Sequence, residues 1–183
     1  DCPRAELAAV VDIDPGRAQQ VSAEFDCASL RLEDLPGKVD AAVVATPTTT
    51  HAGIGVRLLE AGIHTLVEKP IAATPEEATR LTRAAEASGR VLQVGHLERF
   101  NPAILALDRR LTLPLFFEIH RLNVFSPRSL DVDVVLDLMI HDLDIVLAMT
   151  GKMPAEVQAS GISILSGKVD IANVRLVFEG GCV

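Results

Sequence analysis

Tryptophan and tyrosine are absent from the 183-residue chain, six phenylalanines supply its large aromatic rings, and 17 Lys and Arg face 25 Asp and Glu. A net charge of −8 with so few aromatics argues against a surface for nucleic-acid phosphates or anionic lipid, because both need clustered Lys and Arg. Cysteine is also scarce. Cys2, Cys27 and Cys182 are odd in number, widely spaced and without the CxxC or Cys/His spacing of a metal site, so they fit reduced cytosolic thiols. Long apolar runs are missing too: residues 41–45 fall far short of the ~20 that a membrane helix needs, and no charged-then-apolar leader opens the chain. We expect a soluble cytoplasmic protein with a small-molecule partner, no nucleic acid and no membrane.

Hydrophobic residues make up 49% of the chain, ample for a core. Up to Gly95, short apolar runs alternate with helical patterns: strands at 7–11, 41–45, 64–67 and 91–94, and helices at 15–24 and 51–61. Thr74, Pro75, Glu76 and Glu77 supply a cap, a proline at the first helical position and acids in the first turn of a helix reaching Ser88, with Gly89 at its end. Apolar strands between amphipathic helices indicate a doubly wound parallel sheet covered on both faces, which holds ligands at the carboxyl ends of its strands. After Asn101 and Pro102 the pattern changes to a helix ending near Leu111, an alternating stretch at 116–124, an amphipathic segment at 132–150 and strand-like runs at 154–164 and 170–178. The division predicted is an α/β domain at 1–101 and part of an α+β open-sheet domain at 102–183, packed together without a low-complexity linker.

Polar residues follow each strand of the first half: Asp12, then Thr46 and Pro47, then Glu68 and Lys69, then His96. An acid at the end of a Rossmann second strand accepts hydrogen bonds from the adenosine ribose, but Asp12 and Asp14 could equally cap the helix from Pro15. Thr46, Pro47 and His51 lie at a turn suited to a ribose or nicotinamide, or form an ordinary strand-to-helix turn capped by one of Thr48, Thr49 and Thr50. Lys69, between Glu68 and Pro70, can donate to a substrate hydroxyl and stabilise developing negative charge; the plainer alternative is a surface Glu–Lys pair. Asp137, His141 and Asp144 share one helical face at i, i+4 and i+7, where a carboxylate could orient the imidazole and raise its basicity. The alternative is a solvated acidic face, and no third ligand suggests a metal.

In order and spacing, VVDIDPGRA (10–18), ATPTTTHA (45–52), EAGIHTLVEKPIA (60–72), VGHLERFNPA (94–103) and LDLMIHDLDIV (136–146) resemble the Gfo/Idh/MocA oxidoreductases, a family of sugar and cyclitol dehydrogenases. The resemblance implies an NAD(P)-binding Rossmann domain followed by a substrate and oligomerisation domain, and a homo-oligomer, dimer or tetramer. It implies that Lys69 contacts the reacting hydroxyl and the nicotinamide end of the cofactor, that His141 is the general base, and that Asp137 is its partner or a substrate ligand. It also implies that Asp12 binds the adenosine ribose, which favours NAD over NADP, that Thr46, Pro47, His51 and Glu68 line the cofactor path, and that His96, Arg99 and Asn101 lie where cofactor meets substrate. Within the family, 94–103 and 136–146 look most like enzymes that oxidise the 3-hydroxyl of UDP-N-acetylglucosamine. Inositol or another polyol as substrate, and a non-catalytic binding protein of the same fold, are the alternatives.

A GxGxxG turn, due about 20 residues before Asp12, is missing. We read the chain as lacking the first Rossmann strand with its phosphate loop, and as cut short again after Gly181. The 183-residue chain should therefore bind NAD weakly, since the backbone donors for the pyrophosphate are gone; micromolar affinity by calorimetry would overturn this.

Overall fold

The computed structural model describes residues 3–112, 114–124 and 132–183; Cys2 lies outside them. Its amino-terminal half is an alternating α/β layer: β1 (Ala9–Val10), α1 (Pro15–Phe25), β2 (Ala28–Ser29), β3 (Ala41–Val44), α2 (Thr48–Glu60), β4 (His64–Glu68), α3 (Pro75–Ser88) and β5 (Leu92–Gly95). All pairings within it are parallel, in two sheets, β1–β2 and β3–β4–β5, and no ladder joins β1 to β3 among the described residues. The register aligns Val44 with Val67 and Val67 with Val94, so the three strand ends that carry Thr46, Lys69 and His96 lie along one edge.

Local chemistry sets the helix bounds. Asp14 caps α1, its carboxylate accepting from Gly16 N at 2.8 Å and Arg17 N at 3.3 Å. Thr74 caps α3 by accepting from Glu77 N, and Glu77 reaches back to Ala73 N; Gly89 ends that helix at φ 63°, in the left-handed region that favours glycine. Helix α2 starts at Thr48, three residues before the expected position. No threonine caps it: the helix begins directly after Pro47, whose φ of −57° leads the chain into the first turn.

The core stacks in two layers. Leu58 and Ile54 of α2 meet Val44, Val67 and Ile63, while Ala52 and Leu59 on the same helix meet Leu81 and Ala72. The expectation of a sheet buried on both faces needs correction at β3. Val43 is 68% exposed, because the β3 face opposite the buried Val44 receives no packed cover from the described residues.

In the carboxyl-terminal half, α4 (Pro102–Asp108) is followed by the segment 114–124, which is not the strand that its alternation suggested. It is joined to Val183 by two backbone hydrogen bonds, Phe117 N to Val183 O and Val183 N to Leu115 O, too few for a ladder. A π-turn, Val135–Met139, leads into α5 (Ile140–Thr150), and β6 (Glu156–Ile162) pairs antiparallel with β7 (Ile171–Val177). Val146 of α5 packs on Phe178 and Cys182 beyond β7. No described helix is long and apolar enough to cross a membrane.

Leu81 is fully buried, and a Cβ added at Gly55 would lie 2.5 Å from its Cδ2. Leu81→Ala should cost about 2–5 kcal/mol in urea unfolding. Gly55→Ala should gain about 1 kcal/mol of helix propensity only in that background, where the methyl no longer strikes Leu81; equal effects of Gly55→Ala in both backgrounds would refute the close packing.

Candidate active site

The strand β4 ends at Glu68, and the Lys69–Pro70 peptide that follows is cis. From there Lys69 Nζ donates to the backbone carbonyl of Asp137 at 2.6 Å and to its Oδ1 at 3.0 Å. The plain surface Glu–Lys pair is thus corrected: Lys69 partners the π-turn, 68 residues away in sequence. Glu68 uses its carboxylate locally, accepting from Lys69 N at 3.3 Å. Gly95, its register partner on β5, makes room for it, since a Cβ there would sit 3.0 Å from the carboxyl carbon.

The expected pairing of Asp137 with His141 needs correction too. Asp137 lies in a turn of i to i+5 type, where residues four apart no longer stack as in an α-helix, and its carboxylate goes to Lys69. Asp144 is claimed as well: Arg99 donates to it with Nε at 3.0 Å and also with Nη2. Asp142 accepts a forked contact from Arg121, at 3.0, 3.0 and 2.7 Å. His141 is left without an acid, and its Nδ1 is buried with no hydrogen-bond partner among the described residues. Burial first, then the charges of Lys69 and Arg121, hold the imidazole below its ordinary pKa, against the opposing carboxylates of Glu98 and Asp142.

Other expected site residues have structural duties. His51 is 1% exposed, with Nδ1 2.9 Å from Pro70 O and Nε2 2.8 Å from Thr46 O. The ring lies between two carbonyl oxygens, with the nitrogen that donates set by the tautomer, so it braces the loops after β3 and β4 instead of presenting a nitrogen to a ligand. Thr46 Oγ1 bonds Thr50 Oγ1, and Asn101 Oδ1 accepts from Ala103 N at the start of α4. Asp12 accepts from Asp14 N at 2.8 Å and lies 3.5 Å from Arg17; it follows β1 by two residues and joins no hydrogen bond of the Lys69 cluster. His96 follows β5, with a buried Nδ1 that has no described partner.

Parallel strands whose polar ends meet a Lys, an Asp and a His drawn from a later helix suit hydroxyl chemistry beside a bound dinucleotide. Residues 1–96 match the family model GFO_IDH_MocA, described as an oxidoreductase family with an NAD-binding Rossmann fold. The chain belongs to this family.

Among its relatives, UDP-N-acetylglucosamine 3-dehydrogenase of Acidithiobacillus ferrooxidans is 40% identical over 181 residues, covering 98% of this chain and 58% of the relative. The solved structure of that enzyme superposes with a TM-score of 0.89 over 96% of this chain and 58% of its own. Inositol 2-dehydrogenase 2 of Saccharopolyspora erythraea is 33% identical over 159 residues, covering 81% of this chain and 47% of the relative. The chain thus spans about 58% of the length of the first of these family members.

Within this Gfo/Idh/MocA chain, the structure brings together Lys69, Asp137 and His141, with Glu98, Arg121 and Asp142 around them. The last three were not singled out from sequence. Asp142 adjoins His141, which is a usable signal; nothing local in 116–124 marks Arg121. A cleft of about 780 Å³ beside α5 is walled by Phe117, Leu138, Asp142 and Leu176 and includes neither Lys69 nor His141.

His51→Phe keeps an aromatic ring and removes both contacts to carbonyl oxygens. It should lower stability by about 2–4 kcal/mol in urea unfolding, the cost of leaving those groups unpaired. A loss under about 1 kcal/mol would mean that His51 is not the brace between the two loops.

Proposed function

We propose that the whole protein is an NAD(P)-dependent dehydrogenase that oxidises a secondary hydroxyl of a sugar, with the 3-hydroxyl of UDP-N-acetylglucosamine as substrate. The observation that carries this is the placement of the Lys69 ammonium on Asp137 beside an imidazole with no acid partner. Asp137 occupies two of the three donors of Lys69, through its carbonyl and its carboxylate, and leaves the third for a substrate oxygen. A hydroxyl held there loses its proton to His141, whose lowered basicity keeps it neutral and able to accept near neutral pH. Lys69 then donates to the oxygen as negative charge develops on it. Asp137 fixes the ammonium and offsets its charge.

The groups along the strand ends fit a nicotinamide dinucleotide. His96 has an orphaned ring nitrogen, the amino end of α2 lacks a side-chain cap, and Asp12 follows the first strand by two residues. When bound, the nicotinamide supplies a hydride acceptor for the carbinol carbon as the carbonyl forms. We assign Asp12 to the adenosine ribose, Thr46, Pro47 and Glu68 to the cofactor path, and NAD as the cofactor because an acid at position 12 repels a 2′-phosphate. Arg99 and Asn101 lie at the substrate end and act through Asp144 and the cap of α4. The two-part division near residue 101, and oligomer formation through the carboxyl-terminal sheet, belong to the same proposal; the exposure of Val157 and Ile171 supports the second part.

The 40% identity over nearly the whole chain supports the nucleotide sugar. Inositol is the second candidate, supported by the 33% identical inositol 2-dehydrogenase. Nicotinamide reduction at 340 nm, assayed in the whole protein with UDP-N-acetylglucosamine and myo-inositol in parallel, separates them. On the preferred substrate Lys69→Ala and His141→Ala should each lower kcat by about 100-fold or more with folding retained. If His141→Ala stays within about tenfold, the base assignment falls; if neither sugar is oxidised, the substrate proposal falls.

A further inference from the structure

Arg121 reaches α5 from the segment 114–124 and places its guanidinium as a fork on Asp142, the residue that follows His141. The Asp142 side chain is 13% exposed and that of Arg121 33%, so the contact is partly shielded from water. The acids around His141 are distributed in a regular way. Asp137 is taken by Lys69 from the end of β4, Asp144 by Arg99 from the turn after β5, and Asp142 by Arg121. Each comes from α5 or the π-turn before it, and each is claimed by a cation from elsewhere in the chain.

We propose that Arg121 is a positioning residue for the proposed base: held as a fork on Asp142, it keeps a fixed guanidinium charge near His141 that disfavours the imidazolium and leaves the ring free to accept a substrate proton. The proposal rests on the assignment of His141 in the preceding section and adds a second cation that acts on it, from a different segment than Lys69. Four charged groups face the ring: Lys69 from the end of β4, Glu98 from the turn after β5, Arg121 from 114–124, and Asp142 from α5 itself. The two cations disfavour the imidazolium and the two carboxylates favour it. An imidazolium would also need an acceptor at each nitrogen, and the buried Nδ1 has none among the described residues. Without Arg121 the balance loses a cation, and the charge of Asp142 is left uncompensated near the ring.

The test is an NMR titration of the histidine Cε1–Hε1 signals in the 183-residue chain, with His141 assigned by its loss in His141→Gln. It needs neither cofactor nor substrate. Arg121→Gln should raise the His141 midpoint by about one pH unit, and Asp142→Asn should lower it. The double variant should return it close to the parent value, and Arg121→Lys should stay near the parent. A tether that merely secures the 114–124 segment would leave the midpoint unmoved in every variant, provided that the His51, His64, His96 and His120 signals show the fold intact. That outcome overturns the proposal. Should Arg121→Gln unfold the chain, Asp142→Asn decides alone: a lowered midpoint supports the proposal, and an unchanged or raised one refutes it. In the whole protein, the acid limb of kcat/KM should move with the midpoint. A moving midpoint under an unmoved acid limb would keep Arg121 in its role and remove His141 as the base.

Discussion

The ammonium of Lys69 joins the two parts of the site. It sits where a parallel strand ends and bonds to both oxygens that Asp137 offers from the π-turn ahead of α5. The ion pair of Arg99 with Asp144 is a second tie between the strand edge and α5, so two cations hold that helix against the sheet. The contribution of the Lys69–Asp137 contact to stability is a lesser matter. With side chains 21% and 26% exposed, the pair gives up solvation that offsets most of its attraction, so its worth lies in placing a donor.

The supports around this contact divide the labour by burial. His51, almost wholly enclosed, ties Pro70 O to Thr46 O and so fixes the loop that carries Lys69 relative to the end of β3. Helix α2, which carries His51, is held between the sheet and α3 by Ile54 and Leu58 on one side and Ala52 and Leu59 on the other. Core packing therefore reaches Lys69 in two steps, from Leu81 through α2 and from His51 to the Lys69–Pro70 loop. Gly95 is the complementary device on the neighbouring strand, an omitted side chain that leaves space for the Glu68 carboxylate.

Much of the architecture could be read from the chain. Helices α1 and α3 declared themselves through Asp14, Pro15, Thr74 and Glu77, because caps and prolines act within a few residues. The strand-end rule places Lys69 and His96 along one edge of the sheet, and the register of β4 with β5 does so too. Expectations failed where the deciding partner is distant in sequence. The alternation at 116–124 suggested a strand, yet a ladder needs a neighbour and the segment finds little more than Val183. His51 read as a ligand-lining residue, because only the fold shows its ring lying between two carbonyl oxygens. The open face of β3 was equally invisible, since apolar composition does not say which neighbour covers it.

The face shared by Asp137, His141 and Asp144 carries the most instructive failure. Spacing by fours pairs Asp137 with His141 in any regular α-helix, and that inference was sound for the helix it assumed. A π-turn adds a residue to the loop of hydrogen bonds and rotates Asp137 out of register; Lys69, offering a full charge to both of its oxygens, then secures it. The functional consequence is opposite to the one spacing implied. A carboxylate on the imidazole would have made His141 more basic and more often protonated. Instead Asp137, Asp144 and Asp142 are occupied by Lys69, Arg99 and Arg121, and burial with two nearby cations lowers its basicity against the opposing carboxylates of Glu98 and Asp142. Under the proposed mechanism the lowered basicity favours the neutral ring, the form that can accept a proton from a hydroxyl. The acid-rich segment around His141 thus works as a set of anchors for Lys69, Arg99 and Arg121, and none of those three acids is hydrogen-bonded to the imidazole among the described residues.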